Sequence, residues 1–384
     1  MNSMKHPEKS SKPSRRSFLA AAALGGGAAH LLAQGAQTRI YIGTYTRQNS
    51  KGIYVCGYDS MGIRPPVLAA ETSNPSFLTV DSERGLLYAA NEHGQGSVSA
   101  FAIDRSSGAL KFLNSVSSKG SGPCHVALDR VGKWLFVANY NSGTVAVLPV
   151  HAGGALGEAS DVKQHSGSSV NPQRQAGPHA HMAAPSPDNR FLLAPDLGLD
   201  RVLVYRFDAA KGLLTPNDPP FLKTAAGFGP RHLAFGKDAH FVYVLGEMAA
   251  SVTVFRYDAA RGSGDPVQTV SMLPDDYTGP KSGAEISVDA RGRFLYASNR
   301  GHDSIAIFRI DAGNGTLTAA GRVPAQVKTP RSFAIDPAGA YLLTAGQDSS
   351  RIATFRIDPA SGGLTPSGDL LQVPFPVCIA FATI

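Results

Sequence analysis

The sequence has one tryptophan, Trp134, only three cysteines, and no stretch in which apolar residues recur every third or fourth position. The missing period argues against helical bundles and doubly wound α/β folds, because a packed helix buries a stripe repeating near 3.6 residues. The lone tryptophan argues against a WD-repeat scaffold, which carries a W-D pair in each unit. G-x-S-x-G, H-E-x-x-H, P-loop and Rossmann glycine patterns are absent, leaving serine-hydrolase, zincin and nucleotide chemistry without support. No cofactor is expected.

Charge of one sign is never concentrated outside the first residues. Lys5, Lys9, Lys12, Arg15 and Arg16 against Glu8 account for +4 of the formal +7, and the remaining +3 is interspersed. A nucleic-acid partner is therefore not expected. Residues 1–34 read as a leader: Ser14-Arg15-Arg16-Ser17-Phe18-Leu19 precedes a weakly apolar Ala/Gly run, the pattern of a twin-arginine signal. That run falls short of the ~18–20 apolar residues of a membrane span, so no stable membrane insertion is expected. The expected partner in transit is the twin-arginine export machinery, and the expected location is periplasmic or secreted, for a mature domain over residues 35–384.

Export permits disulfides. Cys56 and Cys378 nevertheless read as lying on the third and first strands of one sheet, roughly 9.5 Å apart, beyond the reach of a bridge. Cys124 reads as a small, semi-buried residue with no nucleophile signature beside it.

What the chain has in abundance is turn residues and repetition, with Gly 41 and Pro 26. Six segments share one pattern: a Pro or Gly opening a short apolar strand, D-x-x-G or a variant, a second strand, a polar turn and a third strand, usually closed by F-x-[IY]-D. Their openings, Pro75, Pro123, Pro178, Pro230, Gly283 and Pro330, lie about 50 residues apart, a period of several short strands that indicates a β-propeller. A seventh copy is split between the chain ends, with Phe375–Phe381 as its first strand and Arg39–Thr46 and Gly52–Asp59 as its second and third. The expected fold is all-β, a seven-bladed propeller of four-stranded antiparallel blades, closed by pairing the N- and C-terminal strands.

In such a blade the start of the first strand and the turn after the second lie on the same face. The opening positions are Ser76-Phe77, Cys124-His125, His181-Met182, Arg231-His232, Ala284-Glu285, Arg331-Ser332 and Val377-Cys378. The turns carry Thr44-Tyr45, Asn91-Glu92-His93, Asn139-Tyr140-Asn141, Asp196-Leu197, Gly246-Glu247, Asn299-Arg300 and Gly346-Gln347. Repeats that agree in apolar positions but differ in these polar ones suggest a pocket tailored on a uniform scaffold. The long segment from Lys163 to His181 enters the same face and reads as a partial lid bearing Asn171, Arg174, Gln175, His179 and His181.

NPQRQAGPHAH, APDLGLDRV, GPRHLAF, the Glu247 turn, GAEISVDARGRFLYASNRGHDSIAIF and PRSFAIDPAGAYLL together resemble the seven-bladed propeller lactonases. That family includes the bacterial propeller-type 6-phosphogluconolactonases and the carboxymuconate-lactonising cyclases. The resemblance covers residues 39–384 and implies a metal-free pocket of one His, two Arg and one Glu at one channel mouth. By position these fall on His181, with His179 as rival, and on Arg231, Glu247 and Arg300. The LGEMAAS turn around Glu247 is less polar than the family's pattern, and AGQDSSRI departs where an Asn-Gln pair is usual.

The implied activity is hydrolysis of a sugar lactone or related cyclic ester. A histidine near its ordinary pKa of ~6.5 would accept the proton of water, Glu247 would orient the His or an Arg or act as the base itself, and Arg231 or Arg300 would hold the oxyanion or clamp a substrate carboxylate or phosphate. His125, Asn139, Arg174, His179, Asp196, His232, Glu285, Asn299 and Arg331 are the expected substrate contacts. Three alternatives stand beside this reading. They are a cycloisomerase, a non-catalytic binding propeller, and a calcium-dependent lactonase using Glu92, Asp196, Glu247 and Glu285 with Asn139 or Asn299.

Overall fold

The computed structural model describes residues 37–59 and 62–384; the expected leader lies outside them. Among the described residues there is no helix. Seven antiparallel sheets form the blades. Blade 1 runs through Pro75–Asp81, Leu86–Asn91, Ser97–Ile103 and Leu110–Ser117, and five more follow in chain order. The seventh joins Pro376–Thr383 to Thr38–Thr44 and Gly52–Asp59, with Gly43 opposite Cys378 and Ile40 opposite Cys56. Cys56 and Cys378 thus flank a central strand, and Cys56, Cys124 and Cys378 are free and buried.

Two blades depart from the four-strand pattern. In the closing blade the outer position is shared by Gly62–Ile63 and Val67–Glu71. Pro65-Pro66 lies between them, and neither residue has an N–H to donate to the ladder. In blade 3 the first strand shrinks to Ala184–Pro185, with a lone bridge from Ala180 to Asp196. Pro195 on the neighbouring strand accepts from His181 N–H but has no N–H to return.

The core is seven clusters, one between each pair of adjacent blades. Second-strand tyrosines tie these interfaces with buried hydrogen bonds. Tyr41, Tyr88, Tyr243 and Tyr296 donate to the Gly108, Gly154, Gly315 and Gly362 carbonyls of the following blade. The D-x-x-G aspartates are turn-formers, as Asp129 and Asp336 each accept two backbone N–H groups and Asp289 accepts three.

The feature that positions the site is a bulge recurring at the start of the first strand. Pro230 pairs with Gly246 and His232 with Leu245, which leaves Arg231 out of register. Arg331 is skipped between Pro330 and Ser332 in the same way, as are Ser76, Cys124 and Val377 in their blades. In blade 5 the skip takes in Ala284 and Glu285. A bulge re-aims the unpaired side chain, here around the channel.

Candidate active site

Four arginines gather at one end of the channel around Glu247, which lies at the turn after the second strand of blade 4. Its Oε1 accepts from Arg174 Nη2 at 2.6 Å, and its Oε2 faces Arg300 Nη2 at 2.7 Å and Arg231 Nε at 3.2 Å. Gly229 makes this turn possible: its φ is +63°, and a Cβ there would lie 2.8 Å from Met248 Cγ. Burial pushes the Glu247 carboxyl pKa up, but Arg300, Arg231 and Arg174 outweigh it and hold the pKa at about 2. Glu247 is therefore ionised at any working pH and has every oxygen engaged.

Arg174 comes from the long segment, which is packed against blade 3. Gln175 is fully buried and donates to Leu197 O at 2.8 Å, and Ser169 bonds Asp200 at 2.6 Å. Arg174 also reaches Tyr140 Oη at 3.2 Å. The Tyr140 ring stacks on His179, with ring centroids 4.5 Å apart. His179 Nδ1 lies 2.9 Å from the Tyr140 carbonyl, which only accepts, so Nδ1 is the donor and, in the neutral ring, Nε2 carries the lone pair.

His181 is deeper. Its ring meets Tyr140 and His232 edge-on, at 5.5 and 5.2 Å, and Cys124 Sγ approaches its carbonyl at 3.4 Å and its Nδ1 at 3.8 Å. Burial first and Arg231 second depress its pKa well below the ordinary value. The structure thus corrects the expectation of a histidine titrating near 6.5 at this position. Burial likewise drives the Cys124 thiol pKa upward, against a nucleophilic role.

Beneath Arg231 is a second layer. Its Nη1 donates to Ala284 O at 2.6 Å and faces His232 Nε2 at 3.2 Å, while His232 Nδ1 bonds Glu285 Oε1 at 2.8 Å. Burial lowers the His232 pKa despite Glu285. The neutral ring donates from Nδ1 and accepts on Nε2, holding the guanidinium in place. His125 stacks on Phe77 in the same layer. His125, His232 and Glu285, expected to touch substrate, instead sit behind the residues that line the mouth. Past Glu285 the channel opens into a cavity of about 490 Å³ that none of the arginines lines.

Three other expected contacts are engaged with the chain that leaves the preceding blade. Asn139 donates to Ser118 O and Thr144 Oγ1, and Asn299 to Met272 O and Ser304 Oγ, tying each second strand to the chain leaving the preceding blade. Asp196 is locked to His165 Nδ1 at 2.6 Å and to the His179 and Gly198 amides. With these residues dispersed, the oxygen ligands of the calcium alternative do not converge. Among the described residues no group of three His, Cys, Asp or Glu is arranged to hold a metal ion.

The sequence reading named Tyr45 and Tyr140 only as turn residues, and Glu92 as a turn residue and a ligand in the calcium alternative, but none of them as part of the lactonase site. Tyr45 Oη donates to Glu92 Oε2 at 3.0 Å, beside Arg331. Their signal was available, since each lies in the same turn of its repeat as Glu247 and Arg300.

Comparison with known proteins places this geometry in context. A family model described as lactonase, 7-bladed beta-propeller, matches residues 39–381. The 6-phosphogluconolactonase of Bacillus subtilis is 36% identical over 344 residues, covering 89% of this chain and 97% of its own length. A solved structure described as a periplasmic gluconolactonase of Pseudomonas aeruginosa superposes with a TM-score of 0.86 at 35% identity, covering 90% of this chain and 99% of that one. A Lactobacillus plantarum protein superposes with a TM-score of 0.84 at 34% identity, covering 90% and 99%.

Proposed function

The chain belongs to the seven-bladed β-propeller lactonase family, and from that premise we propose that it hydrolyses a sugar-type lactone without a metal, using the arginine cluster around Glu247. The observation that carries the proposal is the convergence of Arg174, Arg231 and Arg300 on one ionised carboxylate, with Arg174 also bonded to Tyr140, the ring on which His179 stacks.

Hydrolysis requires water to attack the lactone carbonyl carbon, a base to take the water's proton, and donors to hold the oxyanion until the ring C–O bond breaks. The ring oxygen then leaves as a hydroxyl, taking a proton, and the product acid releases one proton at neutral pH. His179 is the better base, because its tautomer leaves Nε2 free, whereas protonating His181 would place a cation against Arg231. Glu247 is a poor base with a pKa of about 2; its role is to orient the guanidiniums. Arg231 and Arg300 aim fixed N–H donors at the oxyanion and need little reorganisation.

Export by the twin-arginine route to the periplasm or medium is part of the same proposal. It is supported by the leader in the sequence and by the periplasmic description of the Pseudomonas aeruginosa relative. The test is proton release by the purified domain on 6-phosphogluconolactone, gluconolactone and muconolactone, with and without EDTA. EDTA-resistant turnover abolished by Arg231→Ala supports the proposal. EDTA-sensitive turnover points to a metal lactonase, and no turnover to a cycloisomerase or binding protein.

A further inference from the structure

Arg331 differs from its three neighbours. Arg174, Arg231 and Arg300 each pair closely with Glu247. The Arg331 guanidinium makes no hydrogen bond to any described residue. Its nearest acidic atom, Glu92 Oε2, is 3.8 Å from Nη2, and it sits 5.4 Å from the centre of the Tyr45 ring. Glu92 cannot close that gap freely, because the same Oε2 accepts from Tyr45 Oη. The Arg331 side chain is only 15% exposed, so a set of guanidinium N–H donors has been withdrawn from most of its water without protein acceptors. Such an arrangement costs stability unless a ligand brings the acceptor.

The local charge is unbalanced in the same direction. Four guanidiniums face the carboxylates of Glu247 and Glu92, while burial keeps His125 and His181 neutral. An excess of positive charge remains at the mouth, and Arg331 is its least committed member. The bulge of blade 6 takes Arg331 out of the strand ladder, and Tyr45 supplies a flat face against which a planar guanidinium rests.

We propose that Arg331 is the specificity-determining residue of this site and binds an anionic substituent of the lactone, a carboxylate or a phosphate, by a two-pronged hydrogen bond, with Tyr45 and Glu92 fixing its orientation. This rests on the lactonase reading and adds the substrate class to it: the preferred lactone is charged.

The test compares wild type, Arg331→Gln and Arg331→Lys on 6-phosphogluconolactone, on muconolactone for a carboxylate, and on neutral gluconolactone. Binding of inorganic phosphate and of acetate is measured separately by calorimetry. Arg331→Gln is expected to raise KM for the preferred anionic lactone about 10- to 100-fold, with kcat within a few-fold and gluconolactone little changed, the size of one charge-assisted bidentate contact. Lysine, a charge without the fork, restores only part of the loss. Which anionic lactone responds, and whether phosphate or acetate binding is lost in Arg331→Gln, distinguishes the two anions.

Equal losses on charged and neutral lactones, or a wild-type preference for gluconolactone, overturn the proposal while leaving the lactonase reading intact. If wild type turns over no lactone, that reading falls, and anion binding that depends on Arg331 still decides the site's ligand class. Arg331→Gln removes no hydrogen bond to the protein, so its melting temperature should stay close to that of wild type; a marked fall would refute the account of Arg331 as unspent.

Discussion

Replacing Glu247 by glutamine tests the electrostatic core of the site. The carboxyl is 8% exposed, and its pKa moves from 4.5 to about 2 on folding, because three guanidiniums outweigh the effect of burial. A shift of that size corresponds to about 3 kcal/mol of folding stability at neutral pH, at 1.36 kcal/mol per unit. The sign is fixed by the direction. The folded-state pKa is depressed, so the contribution is complete above the unfolded value near 4.5 and is lost as pH falls toward 2. At pH 3 somewhat less than half remains, a loss of about 2 kcal/mol relative to pH 7. Glu247→Gln keeps the shape but leaves Arg174, Arg231 and Arg300 facing one another, a loss in the range of about 3–5 kcal/mol seen when one partner of a buried pair is removed. Urea denaturation of wild type and variant at pH 7, 5 and 3 measures this directly. The gap should be about 3 kcal/mol at pH 7, similar at pH 5 and about 2 kcal/mol smaller at pH 3. A gap below about 1 kcal/mol at pH 7, or one that does not narrow with acid, would refute the view that Glu247 is held ionised by its arginines.

The remaining predictions separate chemistry from support. His179→Ala should lower kcat by about 10²- to 10⁴-fold as a lost general base, and His181→Ala by less, in initial-rate proton release; the reverse order would return the base to His181. Glu285→Leu should lower kcat with little change in KM, since Arg231 loses the His232 brace, while Glu285→Gln, whose amide oxygen still accepts from His232 Nδ1, should recover most of it. Asn299→Ala should cost about 1–3 kcal/mol in denaturant midpoint through the lost tie to Met272 O, with kcat/KM of the folded protein unchanged.

The architecture was legible because its signal is repeated. A single D-x-x-G turn decides little, but several of them at one spacing, each followed by an aromatic strand, leave little besides a closed ring, and the split seventh copy dictates the closure. The polar face was legible for the same reason, since aligned repeats reveal which positions vary. What alignment could not give was direction. Asn139, Asn299 and Glu247 occupy neighbouring steps of the same turn, yet the asparagines bond backward to the chain leaving the preceding blade while Glu247 reaches across to Arg174, Arg231 and Arg300. That difference depends on which atoms lie across the channel, information spread over four blades and absent from any local window. The depressed His181 pKa escaped prediction likewise, because it is set by burial and by an arginine about 50 residues away in sequence.

The bulge explains why one position per blade carries so much of the chemistry. A residue inside the ladder points where the pleat requires, and changing its character disturbs both its strand partner and the packed interface behind it. A bulged residue has no partner opposite and is freed from that alternation. Six blades have this freedom at the channel mouth, and the chain fills the positions with Ser76, Cys124, Arg231, Glu285, Arg331 and Val377, which differ in charge and size on nearly identical backbones. Residues there can be exchanged with little cost to the seven interblade clusters, whereas second-strand positions such as Tyr88 or Tyr296, bonded to the next blade, cannot. Substrate choice in this fold should therefore be carried by the bulge and turn residues of the mouth, with Arg331 as the clearest instance, because its substitution leaves every ladder and every interblade hydrogen bond untouched.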